Sequence, residues 1–184
     1  STQVRNALLE GADASSLVGE KVIAYISENA LYRDQYTDTR KLLRNKLDDY
    51  RYVHSSGVAD SARQLAEIYG ADTEKAYFAG LVHDIMKNAS REEQLQIIED
   101  GGITLTIAEK NNPKLWHGIA GECYLRTKMG ITDPEILGSV RYHTTGKAGM
   151  ALLEKIIYVA DYISAERNYP DVDIMRDLAM NHSL

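Results

Sequence analysis

The sequence predicts an all-α fold, a helical bundle of roughly seven to nine helices, and three observations support this prediction. Apolar residues recur at spacings of three and four along most of the chain, as they do on one face of a helix. Glycines and capping residues separate these stretches. With 184 residues, of which 44% are hydrophobic, the chain has room for a sizeable core. We therefore expect a single domain over residues 1–184.

The composition excludes several classes of protein. The net charge of −6 argues against a large nucleic-acid interface, and no apolar run approaches the ~20 residues that a membrane span needs. The one cysteine, Cys123, cannot form an internal disulfide and fits a reducing compartment. The sequence thus indicates a soluble, cytoplasmic protein that binds neither nucleic acid nor a membrane, and it leaves the oligomeric state open.

The first part of the chain predicts two helices. A short one is expected near residues 18–30, and a polar stretch follows at 33–40. The second has one face defined by residues at gaps of four, four, three and four: His54, Val58, Ala62, Leu65 and Tyr69. Gly70 follows where a helix end favours a left-handed residue, so we expect this helix to end there.

Capping residues mark the elements in the middle of the chain. Asp72 or Thr73 can cap a helix with Ala76, Gly80, His83 and Lys87 on one face. Ser90 opens a capping box and Gly101 ends the helix that follows. Residues 103–107 alternate as a strand does, but a strand needs a partner. We expect an extended or short helical connector there.

Three further helices are expected before the end of the chain. One carries Trp116, Ala120, Cys123 and Thr127 and ends at Gly130. The next begins with Pro134 at its first position and runs through His143, before a turn at 146–149. The last strong helix has a face of Leu153, Ile157, Ala160 and Ser164, and it ends before Pro170.

Polar residues that can bind metal lie on or beside these apolar faces: His54, His83, Asp84, His117, His143 and Asp161. Burying a lone carboxylate is strongly unfavourable, yet Asp84 follows an apolar turn and Asp161 lies inside the most hydrophobic helix. A divalent metal would satisfy both, and imidazole with carboxylate suits iron, manganese or zinc. A structural explanation is open for each residue alone: a histidine satisfied in the core, a hydrogen-bonded Asp84, or an ion-paired Asp161. The fifth histidine, His182, is expected in a solvated tail.

In this order the six residues resemble the HD superfamily of metal-dependent phosphohydrolases, whose fold is an all-α bundle with the metal between helices. Four segments narrow the resemblance to the YqeK-type symmetrical diadenosine tetraphosphate hydrolases: residues 81–87, 116–118, 142–146 and 158–163. The resemblance covers about residues 50–167. Residues 1–49 are expected to be an N-terminal helical extension of the same domain.

The resemblance implies a metal site and its ligands: His54, His83, Asp84 and Asp161. Iron is the metal most expected, with manganese or another transition metal open. His117 and His143 match a pair that either holds a second metal or faces substrate phosphate, and we favour one metal with this pair on the phosphates. Asp84 and Lys87 are the expected catalytic residues.

The expected phosphate-binding residues also include Asp84, Lys87, Thr144, Thr145 and Arg167. Lys87 lies one helical turn after His83, although a solvated lysine is an equal alternative. Hydroxyl-rich turns such as the one at Thr144 are often structural. Arg167 resembles an arginine of the family, but the residues around it depart from the usual Gly-Arg pattern.

The resemblance implies an enzyme that cleaves diadenosine tetraphosphate symmetrically to two ADP. Another phosphohydrolase of the superfamily, acting on nucleoside triphosphates, guanosine alarmones or cyclic dinucleotides, is the alternative. The Gly-Tyr-Pro segment of the cyclic-dinucleotide branch does not occur in the sequence. A module that binds nucleotide without turnover is a third alternative, less expected because all six positions are filled.

Overall fold

A computed structural model describes residues 2–184, and within this range the chain forms eleven α-helices, one 3₁₀ turn and no β-strand. The helices are α1 (Thr2–Leu9), α2 (Glu20–Glu28), α3 (Thr37–Lys46), α4 (Asp49–Tyr69), α5 (Thr73–Val82), α6 (Arg91–Asp100), α7 (Ile107–Lys110), α8 (Trp116–Lys128), α9 (Pro134–Tyr142), α10 (Leu152–Ile163) and α11 (Val172–Asn181). The 3₁₀ turn is Pro113–Leu115. The all-α prediction is confirmed, but the expected number of helices was too small.

The chain divides into two compact units, one that ends at Lys46 and one over Leu47–Leu184. In the first unit the buried Arg40 donates to the Leu9 carbonyl at 3.1 Å and pairs with Asp34 at 2.8 Å. Gly11 has a φ of +68°, and a Cβ there would lie 2.6 Å from the Lys41 nitrogen. Only glycine therefore fits at this turn.

In the second unit α4 and α5 pack closely. Asp48 caps α4. Gly70 ends this helix at a φ of +72°, as the sequence predicts. Asp72 caps α5. A Cβ at Gly80 would lie only 2.8 Å from the Ala59 Cα, so the two backbones can approach because Gly80 has no side chain.

Helix α10 forms the centre of the core and packs against α4, α5, α9 and α11. Its buried residues join those of its neighbours in one cluster that includes Val58, Ala62, Leu65, Val82, Val140, Ile156, Ile157 and Ala160. Helix α8 packs against α6 and α9. On α8, Cys123 is buried; burial and the neighbouring Glu122 raise the pKa of its thiol to about 12.

The segment before α7 and the end of α5 compare the local prediction with the structure. Residues 103–106 form no regular element and lead into the short α7, which begins at Ile107 and whose N-cap Thr106 forms a capping box with Glu109. Helix α5, however, ends at Val82 and not near Lys87: the chain continues in turns, with bonds such as Lys87 N to Asp84 O at 2.8 Å. Among residues 2–184, no helix is long and apolar enough to cross a membrane.

Candidate active site

Three histidines present one ring nitrogen to a shared buried centre. Each of them binds with its Nδ1 the carbonyl of the residue three positions before it: His83 to Gly80 at 2.7 Å, His117 to Lys114 at 2.8 Å and His143 to Val140 at 2.7 Å. A carbonyl only accepts, so Nδ1 carries the hydrogen and Nε2 keeps its lone pair. His83 and His143 stand at the C-caps of α5 and α9, where these bonds also satisfy free helix carbonyls.

Asp84 lies between two groups of imidazoles. Its Oδ2 is 3.7 Å from His83 Nε2 and 4.0 Å from His54 Nε2. Its Oδ1 is 3.4 Å from His117 Nε2 and 3.5 Å from His143 Nε2. Burial opposes the charge on Asp84, but the neighbouring imidazoles and Lys87 hold its pKa well below the ordinary value. The carboxylate is therefore charged and offers one oxygen to each side.

The opposite wall holds His54 between two carboxylates. Its Nε2 lies 3.0 Å from Asp161 Oδ1, and its Nδ1 pairs with Glu166. Arg167 binds the Asp161 carboxylate and also donates from Nε to the Asp161 carbonyl at 2.8 Å. Burial opposes protonation of His54, but Asp161 and Glu166 raise its pKa above the ordinary value.

The residues present fit a divalent metal. Among the described residues His83 Nε2 and Asp84 Oδ1 are buried without a hydrogen-bond partner, and such groups are costly unless satisfied. The Nε2 atoms of His117 and His143 stand 3.1 Å apart with their lone pairs facing. Ligand atoms of two groups lie within 4.8 Å of one another: His54, His83 and Asp161, and His83, Asp84 and His143. Converging nitrogen and oxygen lone pairs suit a transition-metal ion.

Burial keeps two of these imidazoles neutral. It lowers the pKa of His83 to about 4, and burial together with the neighbouring His143 lowers the pKa of His117 to about 3. Only a neutral imidazole can donate its lone pair to a metal. At neutral pH both rings are therefore in the form that a ligand requires.

Cationic side chains stand at the edge of the cluster. Lys87 Nζ lies 3.1 Å from His117 Nε2 and 3.8 Å from Asp84 Oδ1, so the turn brings it to the cluster although it is not on α5. Burial lowers the pKa of Lys87. Arg51 Nη1 lies 3.2 Å from Asp84 Oδ2. These charges can bind the phosphates of a substrate beside the centre.

Of the other predicted residues, some lie at the cluster and others point away from it. Thr144 Oγ1 lies 3.3 Å from His117 Nε2 and belongs to the cluster, whereas the Thr145 hydroxyl donates to the Gly146 carbonyl at 3.0 Å. Arg167 faces inward, where it binds the Asp161 carboxylate. His182 is exposed near the end of the chain, with Asp177 at 3.6 Å.

Sequence reasoning missed Arg51 and Glu166. Arg51 stands three residues before His54, hence on the same face of α4, and this spacing was a usable signal. Glu166 gave no such signal, because it follows α10 in a loop and reaches His54 only through the tertiary fold.

Comparison with known proteins gives consistent similarities. The HD domain family matches residues 51–166. The symmetrical bis(5'-nucleosyl)-tetraphosphatase of Bacillus subtilis (strain 168) is 43% identical over 137 residues, which are 74% of this chain and 73% of that protein. The protein of the same name from Staphylococcus aureus (strain NCTC 8325 / PS 47) is 37% identical over 142 residues, 77% of this chain and 73% of its own.

A solved structure is similar as well. A crystal structure from Clostridium acetobutylicum, described as a predicted HD superfamily hydrolase involved in NAD metabolism, superposes with a TM-score of 0.78. It is 42% identical, and the match covers 81% of this chain and 79% of that one. Sequence and fold therefore agree on the same group of proteins.

Proposed function

This chain belongs to the HD domain family, and we propose that the cluster around Asp84 is the metal centre with which it hydrolyses diadenosine tetraphosphate symmetrically. The observation that carries the placement is the convergence of four imidazole Nε2 atoms on the two oxygens of one buried carboxylate. The relatives named as symmetrical tetraphosphatases supply the substrate and the class of enzyme, a hydrolase.

The reaction consumes one water and gives two ADP. Water attacks one of the two central phosphorus atoms, and the bond from that phosphorus to the oxygen bridging the central phosphates breaks. The bridging oxygen leaves with the second ADP, and the protons of the water are shared between the products. Negative charge grows on the bridging oxygen and on the attacked phosphate, so fixed cations beside them lower the barrier.

We propose His54, His83, Asp84 and Asp161 as the ligands of one divalent ion, with iron as the metal. When bound, such an ion activates water as a nucleophile and polarises a phosphoryl oxygen. His117 and His143 then face the phosphates. The position of Asp84 Oδ1, 3.4 and 3.5 Å from their Nε2 atoms, also suits a second ion, so the metal count is the observable that separates the two arrangements.

The side chains around the centre have distinct proposed roles. Asp84 holds the metal and orients the neighbouring imidazoles. Lys87 neutralises charge on the phosphate chain, since its Nζ lies beside both Asp84 and His117. Arg167 orients Asp161 and offers a planar guanidinium to phosphate. Thr144 and Thr145 donate hydroxyls to phosphate oxygens, for which Thr145 must turn from the Gly146 carbonyl.

The proposal extends to the whole chain. We propose one HD-type domain with its core at about residues 50–167 and residues 1–49 as a helical extension. We also propose that the enzyme works in the cytoplasm, where its nucleotide substrate and a reduced Cys123 are expected, without a nucleic-acid or membrane partner.

Turnover of purified protein on a panel of nucleotides tests the function. Diadenosine tetraphosphate should give ADP as the product; ATP with AMP, or faster turnover of nucleoside triphosphates, guanosine alarmones or cyclic dinucleotides, would contradict it. Asp84→Ala should abolish turnover and lower the metal content measured by elemental analysis, because it removes ligand charge and geometry together. Full activity of a folded Asp84→Ala protein would refute the metal centre.

The metal count of His143→Ala tests the proposed single ion. With one ion held by the other four ligands, the count per chain stays the same while turnover falls. A count that drops from two toward one would replace the single-ion arrangement by a two-ion centre.

A further inference from the structure

A cavity of about 370 Å³ adjoins the candidate centre, and its outer residues have no part in the roles described so far. His117 and Lys87 line it on the side of the centre. Arg91, at the start of α6, and Lys114, in the 3₁₀ turn, line it further out. Its volume falls within the range of small-ligand sites, about 300 to 1,000 Å³.

The cavity is built by ordered polar contacts. Gln94 is buried in its wall and donates from its amide nitrogen to the carbonyls of Met86 at 3.0 Å and Ala89 at 3.1 Å. These bonds hold the turns that carry Lys87. The backbone on the other side is fixed by the bond from His117 Nδ1 to the Lys114 carbonyl. The cavity is therefore shaped in advance of any ligand.

The lining is cationic in a chain whose net charge is −6. Among the described residues that line the cavity, Lys87, Arg91 and Lys114 are cationic and none carries a carboxylate. In the part of the chain that the structure describes, neither Arg91 nor Lys114 forms an ion pair with a carboxylate; Glu92, next to Arg91, hydrogen-bonds with Ser90. Three cations converging on one cavity without carboxylates select an anion with several charges.

We propose that this cavity binds the departing nucleoside diphosphate, the half of the substrate beyond the bond that breaks. The inference rests on the proposed function, because it takes the attacked phosphorus to lie at the metal centre. A substrate chain that crosses the centre beside His117 and Lys87 enters the cavity next. The outer phosphates of the substrate then contact Arg91 and Lys114. These contacts fix how far the substrate extends past the centre, and hence which of its bonds lies over the centre.

The double variant Arg91→Ala/Lys114→Ala tests the proposal in the metal-loaded protein. The KM for diadenosine tetraphosphate should rise about tenfold, while kcat changes by less than about twofold, because neither residue lies at the reacting bond. The rise should shrink at high salt, since salt screens exposed charges. The control Lys128→Ala/Lys155→Ala removes the same charge from exposed lysines outside the cavity and should leave KM near the wild-type value.

A second measurement separates this proposal from the proposed function. Titration calorimetry of the metal-loaded proteins with ADP should show about tenfold weaker binding to the Arg91→Ala/Lys114→Ala protein than to the control. If KM and ADP affinity match the control, the cavity is not a subsite. If the wild type does not cleave the substrate symmetrically but the ADP affinity still falls, the proposed function fails and the diphosphate site stands.

Discussion

The orientation of each candidate metal ligand depends on the residues that it contacts, and His54 is the clearest case. Its Nε2 faces Asp161, while its Nδ1 pairs with Glu166. A carboxylate on the far nitrogen fixes the tautomer and makes the ring a stronger ligand. Ser164 supports this arrangement by donating its hydroxyl to the same Glu166 oxygen at 2.7 Å. We therefore expect Glu166 to act on a bound metal through His54.

Glu166→Gln should lower metal affinity by about tenfold to a hundredfold, because the amide is close in size but lacks the charge that polarises His54. Competition with a chelator of known affinity measures this, and circular dichroism shows whether the helices remain. Asp171→Asn, which removes the charge of an exposed carboxylate in the same loop, should leave the affinity unchanged. Equal affinities for Glu166→Gln and Asp171→Asn would mean that Glu166 has only a structural role.

Helix packing brings the candidate ligands together, and two glycines make this packing close. Gly80 lets α5 approach α4, which places His83 near His54. Gly118 does the same for α8 and α9: a Cβ there would lie 3.0 Å from the Arg141 carbonyl oxygen. Both glycines are within three residues of a candidate ligand, so the geometry of the centre depends on how near these backbones stand.

Gly80→Ala should lower the free energy of unfolding by about 1–3 kcal/mol, because the new methyl group meets the Ala59 backbone. This holds although alanine favours a helix by about 1 kcal/mol over glycine. Gly57→Ala is the control: its Cβ would meet the end of the Glu166 side chain at 2.6 Å and the Ser164 Cβ at an ordinary contact distance of 3.7 Å, and a side-chain end can shift where a backbone cannot. Urea denaturation compares the two variants, and equal stabilities would refute the close-packing argument.

The sequence predicted elements well where apolar periodicity and an end signal agreed, as in α4, whose apolar face leads up to Gly70. It missed α3, which has few apolar residues and is held by the buried Arg40. It extended α5 to Lys87 because the apolar run continues past Val82, whereas the His83 bond to Gly80 closes the helix there. Side chains that cap or pair across the fold leave no period in the sequence.

For the molecule as a whole, the buried imidazoles make stability depend on pH. In the unfolded chain His83 and His117 take up protons below about 6.5, but in the folded protein their pKa values are about 4 and about 3. Between pH 6.5 and 4 the unfolded state thus binds more protons, and the free energy of unfolding falls with falling pH. His54 does not change this difference, because its pKa is raised and it is therefore protonated in both states below about 6.5.

The metal-free protein should therefore lose about 2.7 kcal/mol of stability per pH unit as the pH falls from about 6.5 to about 4, the effect of the two protons that His83 and His117 take up only in the unfolded chain. Below that range Asp84 and Asp161, whose pKa values are lowered, add a further loss as they become protonated. Urea midpoints across the range measure the slope. His117→Gln should roughly halve it above pH 4, because the proton of His83 remains, and an unchanged slope would refute the assignment.

The buried thiol of Cys123 can report how often helix α8 opens. A sulfhydryl with a pKa of about 12 is almost never the reactive thiolate, and here it is also enclosed. An alkylating reagent can reach Cys123 only when α8 opens. The rate at which the thiol is labelled therefore measures how often the helix that carries His117 opens. The labelling rate, compared with and without bound metal, would show how strongly an ion suppresses these openings.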